Sequence, residues 1–239
     1  MITALFHAII YDPLYNGLVF LVGLVPSHDV GIAVIALTIV VRIILFPLSR
    51  RAVEAQMAMK KIAPEVESLK EKYKNNREEQ GKAVFALYRE RGVRPFSGIA
   101  LLVAQLPVLI ALYWIFALGG LPEIRPELLY AFVSPPAGVS MEFLGIMDMA
   151  GHSLVLGALA AVTQFAYTRL SMGPREKNPS AKASSFSSEL ARSFDLQARY
   201  MLPAMFVVLS FFIPSAAMLY LVTSNLSMIG QELLTGRRF

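Results

Sequence analysis

Residues Val30–Ser49 read VGIAVIALTIVVRIILFPLS, a run interrupted by a single charge, Arg42. Twenty residues at 1.5 Å each reach across a hydrocarbon layer of about 30 Å. A lipid-embedded segment must satisfy its own backbone, so the run has to be helical. Arg42 is the awkward residue. A cation at the centre of such a helix costs roughly 2.5–3.5 kcal/mol on insertion scales. Two explanations stand at this point. The side chain can snorkel, because Ser49 lies seven residues away, about 10 Å. Alternatively Arg42 is a functional intramembrane cation.

Three more stretches are almost free of charge: Pro95–Pro122, Met149–Thr168 and Tyr200–Gln231. The last is too long for one span and short for two. Arg199 lies at its start and Arg237 with Arg238 beyond its end. Both ends prefer the cytoplasm, so the chain crosses twice, turning near Pro214. The expected transmembrane helices are 29–49, 96–118, 153–171, 200–213 and 215–233. Mean hydropathy of +0.56 and a charged fraction of only 16% agree with a polytopic membrane protein. The chain has no Cys, which excludes disulfides, thiolate catalysis and thiolate metal sites. The first 41 residues hold no Lys or Arg, so a cleavable signal peptide is not expected.

The net charge of +5 follows topology, and no direct nucleic-acid partner is expected. Of 22 Lys and Arg residues, 20 fall in 50–95, 169–199 and the C-terminal tail. Only Arg125 is left for the opposite side, beside Arg42 in the membrane. The positive-inside rule therefore puts the N-terminus outside and the C-terminus in the cytoplasm, across the cell membrane. Residues 1–28 form an outer segment, whose apolar run Leu14–Pro26 is too short to span and is expected to lie as an interfacial helix. Residues 119–152 form an outer loop.

Residues 50–95 are expected to form a cytoplasmic helical hairpin. Met59, Ile62, Val66, Leu69 and Tyr73 recur at helical steps, and Val84, Leu87 and Tyr88 form a second stripe. Asn75-Asn76 separates the two, and Pro64 should kink the first helix. Residues 172–199 read as a flexible cytoplasmic loop with a short helix near Glu189–Gln197, and 234–239 as a cytoplasmic tail.

Gln105, Gln164 and Asn225 stand seven to nine residues from the cytoplasmic ends of their spans, as Arg42 does. Thr38 and Ser224 are close enough to join them. Such groups face a bundle interior or a wet cavity. Interhelical hydrogen bonding accounts for a Gln or an Asn. It accounts poorly for Arg42, since no acid in the spans is expected to neutralise it. The expected candidate site is therefore a hydrated groove lined by Arg42, Thr38, Gln105, Gln164, Ser224 and Asn225.

These segments resemble the YidC/Oxa family of membrane protein insertases. GIAVIALTIVVRIILFPLS is similar to the family helix carrying the groove arginine, at Arg42. APEVESLKEKYK and LYRERGVRPFSG resemble the family's cytoplasmic hairpin. ALLVAQLPVLIALYWIF, FLGIMDM and IPSAAMLYLVTSNLSMIGQ follow in the family's order. The resemblance covers about residues 12–233. It implies an all-α polytopic membrane protein with five transmembrane helices, an outer interfacial helix and a cytoplasmic helical hairpin. It implies a groove, open to cytoplasm and lipid, that receives nascent membrane proteins. Partners would be those clients, the lipid bilayer, and a Sec translocon and ribosome. Leu221 replaces the usual Trp after Tyr220, and Ala216 stands where Gly is common. The chain reads as a short form without a large extracytoplasmic domain, a lipoprotein Cys or a long basic tail.

The competing classes fit less well. A small transporter or anion channel using Arg42 would predict internal repeats, and the unequal spans show none. An intramembrane enzyme would need a catalytic pair at one depth; His7, His28 and His152 all fall on the outer side. No catalytic residue, metal or cofactor is expected, and no G-x-x-x-x-G-K-[ST] nucleotide loop is present.

Overall fold

The computed structural model describes residues 2–93, 97–172 and 196–234. The chain is mostly helical. Its helices are α1 (Ile2–Phe6), α2 (Asp12–Leu24), α3 (Val30–Lys72), α4 (Arg77–Glu90), α5 (Ser97–Ala117), α6 (Leu154–Met172), α7 (Leu202–Leu209) and α8 (Ser215–Leu234). A two-stranded antiparallel hairpin, β1 (Glu142–Phe143) and β2 (Met147–Asp148), lies between α5 and α6. By length and composition, Thr3–Leu24, Val30–Met59 and Leu154–Met172 suffice to cross a membrane. Gln105–Ala117 and Arg199–Leu209 are shorter apolar helices. The contacts divide the chain into two units, 1–44 with 105–173 and 197–239, and 45–104 with 174–196.

The first unit is a helical bundle. Its core draws Tyr15, Leu18, Val19 and Val22 from α2 and Val30, Ala33 and Val34 from α3. Ala111, Leu112 and Ile115 of α5 and Ala216 and Met218 of α8 complete it. α6 packs most extensively against α7 and α8. Gly157 permits the close approach of α6 and α7, because a Cβ there would collide with the Ser210 side chain.

The N-terminal segment corrects one expectation. Leu14–Pro26 is not an isolated short helix. A π-helical turn, His7–Tyr11, joins α1 to α2, and Asp12 N donates to His7 O. Pro13 lies just past the π turn, inside the continuous run, so its missing N–H removes one ladder bond there. The apolar helical run therefore reaches 22 residues, and the length argument against a span fails. Its polar side chains bind the backbone of the loop between α5 and α6. Asn16 donates to Leu128 O at 2.9 Å and accepts from Tyr130 N at 2.6 Å, and Tyr15 Oη accepts from Arg125 N at 2.8 Å.

The second unit contains a helical hairpin. α3 runs 43 residues, through Pro47 and the expected kink site Pro64, without interruption. At 1.5 Å per residue it is about 65 Å long, twice a hydrocarbon layer. A turn then leads to α4, capped by Asn76, whose Oδ1 accepts from Glu78 N and Glu79 N, each at 3.2 Å. Ile62, Val66, Leu87 and Val93 are buried together, with Met59, Leu69, Val84 and Tyr88 packed beside them. Arg91 closes the open end against Glu65 at 2.8 Å. Tyr73 stays outside this seam and takes Lys72 over its ring.

At the other end of the chain, residue 196 is already helical, ahead of the expected start at Tyr200, and α7 ends at Leu209. Helix formation stops at Ser210, and Pro214 precedes α8. The loop 172–199, its short helix near Glu189–Gln197, the start of the second span at Phe96 and the tail 234–239 fall wholly or largely outside the described residues.

Candidate functional site

α8 is the scaffold of the site. Ser224 and Asn225 are consecutive, so they point about 100° apart around the helix. Ser224 turns towards α3 and α5; Asn225 turns towards α6. Arg42 of α3 donates through Nη2 to Gln105 Oε1 of α5 at 2.8 Å and to Ser224 Oγ of α8. Three helices thus meet at one guanidinium. Asn225 Nδ2 donates to Ala160 O at 3.4 Å and Thr163 Oγ1 at 3.3 Å. Gln164, next along α6, donates to Thr168 Oγ1 at 3.2 Å. The expected residues therefore divide into a cluster of Arg42, Gln105 and Ser224 and a seam of Asn225, Thr163, Gln164 and Thr168. Thr38 is spent on its own helix, donating to Val34 O at 2.6 Å.

The electrostatics are unusual. Arg42 is 9% exposed. Its Nε and Nη1 are buried and meet no acceptor among the described residues. Snorkelling is therefore not its conformation: the group lies inside the bundle on neutral oxygens. Its electrostatic neighbours are the phenols Tyr220 and Tyr167, and the Tyr220 hydroxyl lies beside Gln105 and Ser224. A buried cation with only neutral partners is poorly compensated, because desolvation is large and only a counter-charge offsets it fully.

Sequence reasoning missed several of these residues. Tyr220 stands four before Ser224, and Thr163, Tyr167 and Thr168 lie within four of Gln164. The i±4 rule applied around each polar residue would have found them. Glu232 was missed as well. It falls within the last turn of α8, one face with Asn225, and is 1% exposed. The spans are therefore not free of acids. Buried Arg199 stands at the start of the α7 region.

Comparison with known proteins follows the same lines. Residues 21–239 match the model of the 60Kd inner membrane protein family. A membrane protein insertase YidC of Clostridium tetani is 31% identical, over 88% of this chain and 83% of its own length. One from Syntrophobacter fumaroxidans is 30% identical over 86% of this chain but only 34% of its own length. The fold is similar to a crystal structure of an active YidC insertase with its first transmembrane domain resolved, at a TM-score of 0.59 and 24% identity. That match covers 96% of this chain and 47% of the other. With the family model spanning most of the sequence and an insertase relative aligned along nearly its whole length, the chain belongs to the 60Kd inner membrane protein family, alongside the YidC insertases.

Proposed function

We propose that this membrane protein insertase receives its clients at Arg42. The observation that carries the reading is a buried guanidinium whose partners are neutral and whose Nε and Nη1 have no acceptor among the described residues. A carboxylate on a client's translocated flank would replace the Gln105 and Ser224 oxygens with a charge-assisted, bidentate contact. Gln105, Ser224, Asn225 and Gln164 would replace part of the water that the flank leaves behind. The client's apolar segment then moves into lipid along the exposed apolar sides of the bundle. No bond is made or broken, so the action is insertion and chaperoning without enzymatic chemistry.

The arrangement in the cell membrane follows from charge. Five spans, formed by the first part of α3, α5, α6, the α7 region and α8, put the N-terminus outside and the C-terminus in the cytoplasm. The Thr3–Leu24 helix remains on the outer side, where Asn16 and Tyr15 bind outer-loop backbone. The α3–α4 hairpin then stands in the cytoplasm, where it guides arriving chains and offers a basic surface to a ribosome or a Sec translocon.

Cysteine at 42, 105, 164 and 225 tests the groove in this Cys-free chain. All four are expected to react with a membrane-impermeant thiol reagent from the cytoplasmic side while a client is engaged. Protection of all four in every state would remove the groove from the mechanism.

A further inference from the structure

We propose that the tip of the β1–β2 hairpin is a lipid-dipping wedge that inserts Leu144 and Ile146 into the outer leaflet. Leu144 is 60% and Ile146 83% exposed in the isolated chain. The five residues 143–147, FLGIM, carry no charge, and the acidic residues Glu142 and Asp148 pair across the base of the hairpin.

The turn is built to present these side chains. Ile146 N donates to Phe143 O at 3.0 Å. The two central residues, Leu144 at φ 54° and Gly145 at φ 68°, are both left-handed. Turns of this kind take Asn, Asp or Gly, and a leucine at such a φ is disfavoured. Water gives no reason to place a large aliphatic side chain at a strained, exposed position. Hydrocarbon does.

The hairpin is also held at the right level. Asp29, immediately before α3, accepts from Leu144 N through Oδ2 at 2.7 Å and from Ile32 N through Oδ1 at 3.1 Å. The tip backbone is thereby pinned beside the first turn of α3. Phe143 lies over Gly31, where a Cβ would collide with its ring. After β2, Ala216 N donates to Met149 O at 3.0 Å and Ser215 N to Gly151 O at 2.7 Å, which ties the same segment to the start of α8. In the proposed topology the starts of α3 and α8 lie at the outer edge of the apolar layer, which keeps the tip from being raised into solvent. Leu154 and Val155, in the first turn of α6, are 53% and 61% exposed and continue as Leu159 and Val162 down one side of that helix. That side faces acyl chains, and so lipid is the occupant of the tip.

The full Cys-free chain, carrying Ile146→Cys labelled with the fluorophore NBD, would be reconstituted in phosphatidylcholine–phosphatidylglycerol vesicles. Ser134→Cys on the exposed outer loop is the control. Lipids with a shallow nitroxide should quench the label at 146 severalfold more than at 134, and aqueous iodide should do the reverse. Adding Leu144→Asn, which suits the left-handed turn, keeps the hairpin and should reduce the lipid quenching. Equal iodide quenching at the two sites would overturn the proposal. So would protection at 146 from both quenchers, with energy transfer between labelled copies, because a second copy would then cover the tip.

Discussion

Arg42 on α3 and Gln105 on α5 are joined by a 2.8 Å hydrogen bond in which the amide oxygen is the only charge-neutralising help the glutamine can give. A dipole partly offsets a buried cation where a carboxylate would do so fully. The pair is therefore stable enough to hold two helices and weak enough to be exchanged.

Gln105→Leu should expose that balance. It removes one of the acceptors of Nη2 and leaves a buried donor less satisfied, at a cost of about 1–3 kcal/mol. Thermal unfolding in lipid nanodiscs should show a lowered midpoint. Gln105→Glu should raise the midpoint while slowing insertion of clients with acidic tails, because the new carboxylate competes for Arg42. Wild-type behaviour of both variants would dissociate Gln105 from Arg42.

Arg42→Ala should impair clients with acidic translocated flanks most, and Arg42→Lys should retain part of the activity. Lysine keeps the charge but loses the planar fork that engages a carboxylate with two donors. Insertion assays with a client series graded in tail charge would test this. A loss independent of tail charge would make Arg42 a packing residue.

Asn225→Leu should loosen the α6–α8 seam. Both of its bonds are long, at 3.3 and 3.4 Å, and such intramembrane bonds average about 0.6 kcal/mol. Hydrogen exchange should rise along α6 near Thr163 with little change in α4. Protection equal to wild type would show that apolar packing alone holds the seam.

The α3–α4 hairpin offers a local test. Asn76→Ala deletes the cap of α4 and should cost about 1 kcal/mol, read as faster exchange at Glu78 and Glu79. Burial pushes the Tyr88 phenol up from its ordinary value of 10.0. Its raised folded pKa means that its contribution is complete below pH 10 and is lost as pH rises through that pKa. Tyr88→Phe should flatten this alkaline loss. An unchanged alkaline profile would place the titrating group elsewhere.

Much of this was legible in the sequence because lipid leaves few choices. Charge-free runs had to be helices, and Arg42 marked where the bundle had to be polar. The twin stripes around Ile62 and Leu87 foretold a seam, since a helical hairpin has little else to bury. The N-terminal helix is longer than expected because the run counted from Leu14 continues upstream through Asp12-Pro13. A π turn, His7–Tyr11, precedes both residues and joins them to α1, and the length of an apolar run alone does not anticipate it. The division of the polar set was also hidden. Depth can be counted along a chain, but whether Ser224 or Asn225 faces Arg42 depends on how α8 is rotated. Thr38 shares the depth of the set, but its own Val34 carbonyl takes its hydroxyl.

Ser224 and Asn225, about 100° apart, tie α8 to different neighbours. α8 is sewn to α6 on one side, where the packing is most extensive, and clasped to α3 and α5 on the other through one guanidinium. A twist of α8 about its axis would tear both sides together, so rotation is a costly motion. Separation along the Arg42 side would break its polar contacts and part of the apolar core shared with α3 and α5, and would leave the α6–α8 pair whole. On the proposed reading Arg42 would act as a latch as well as a lure: the ligand that draws on its charge would release the helices it ties together.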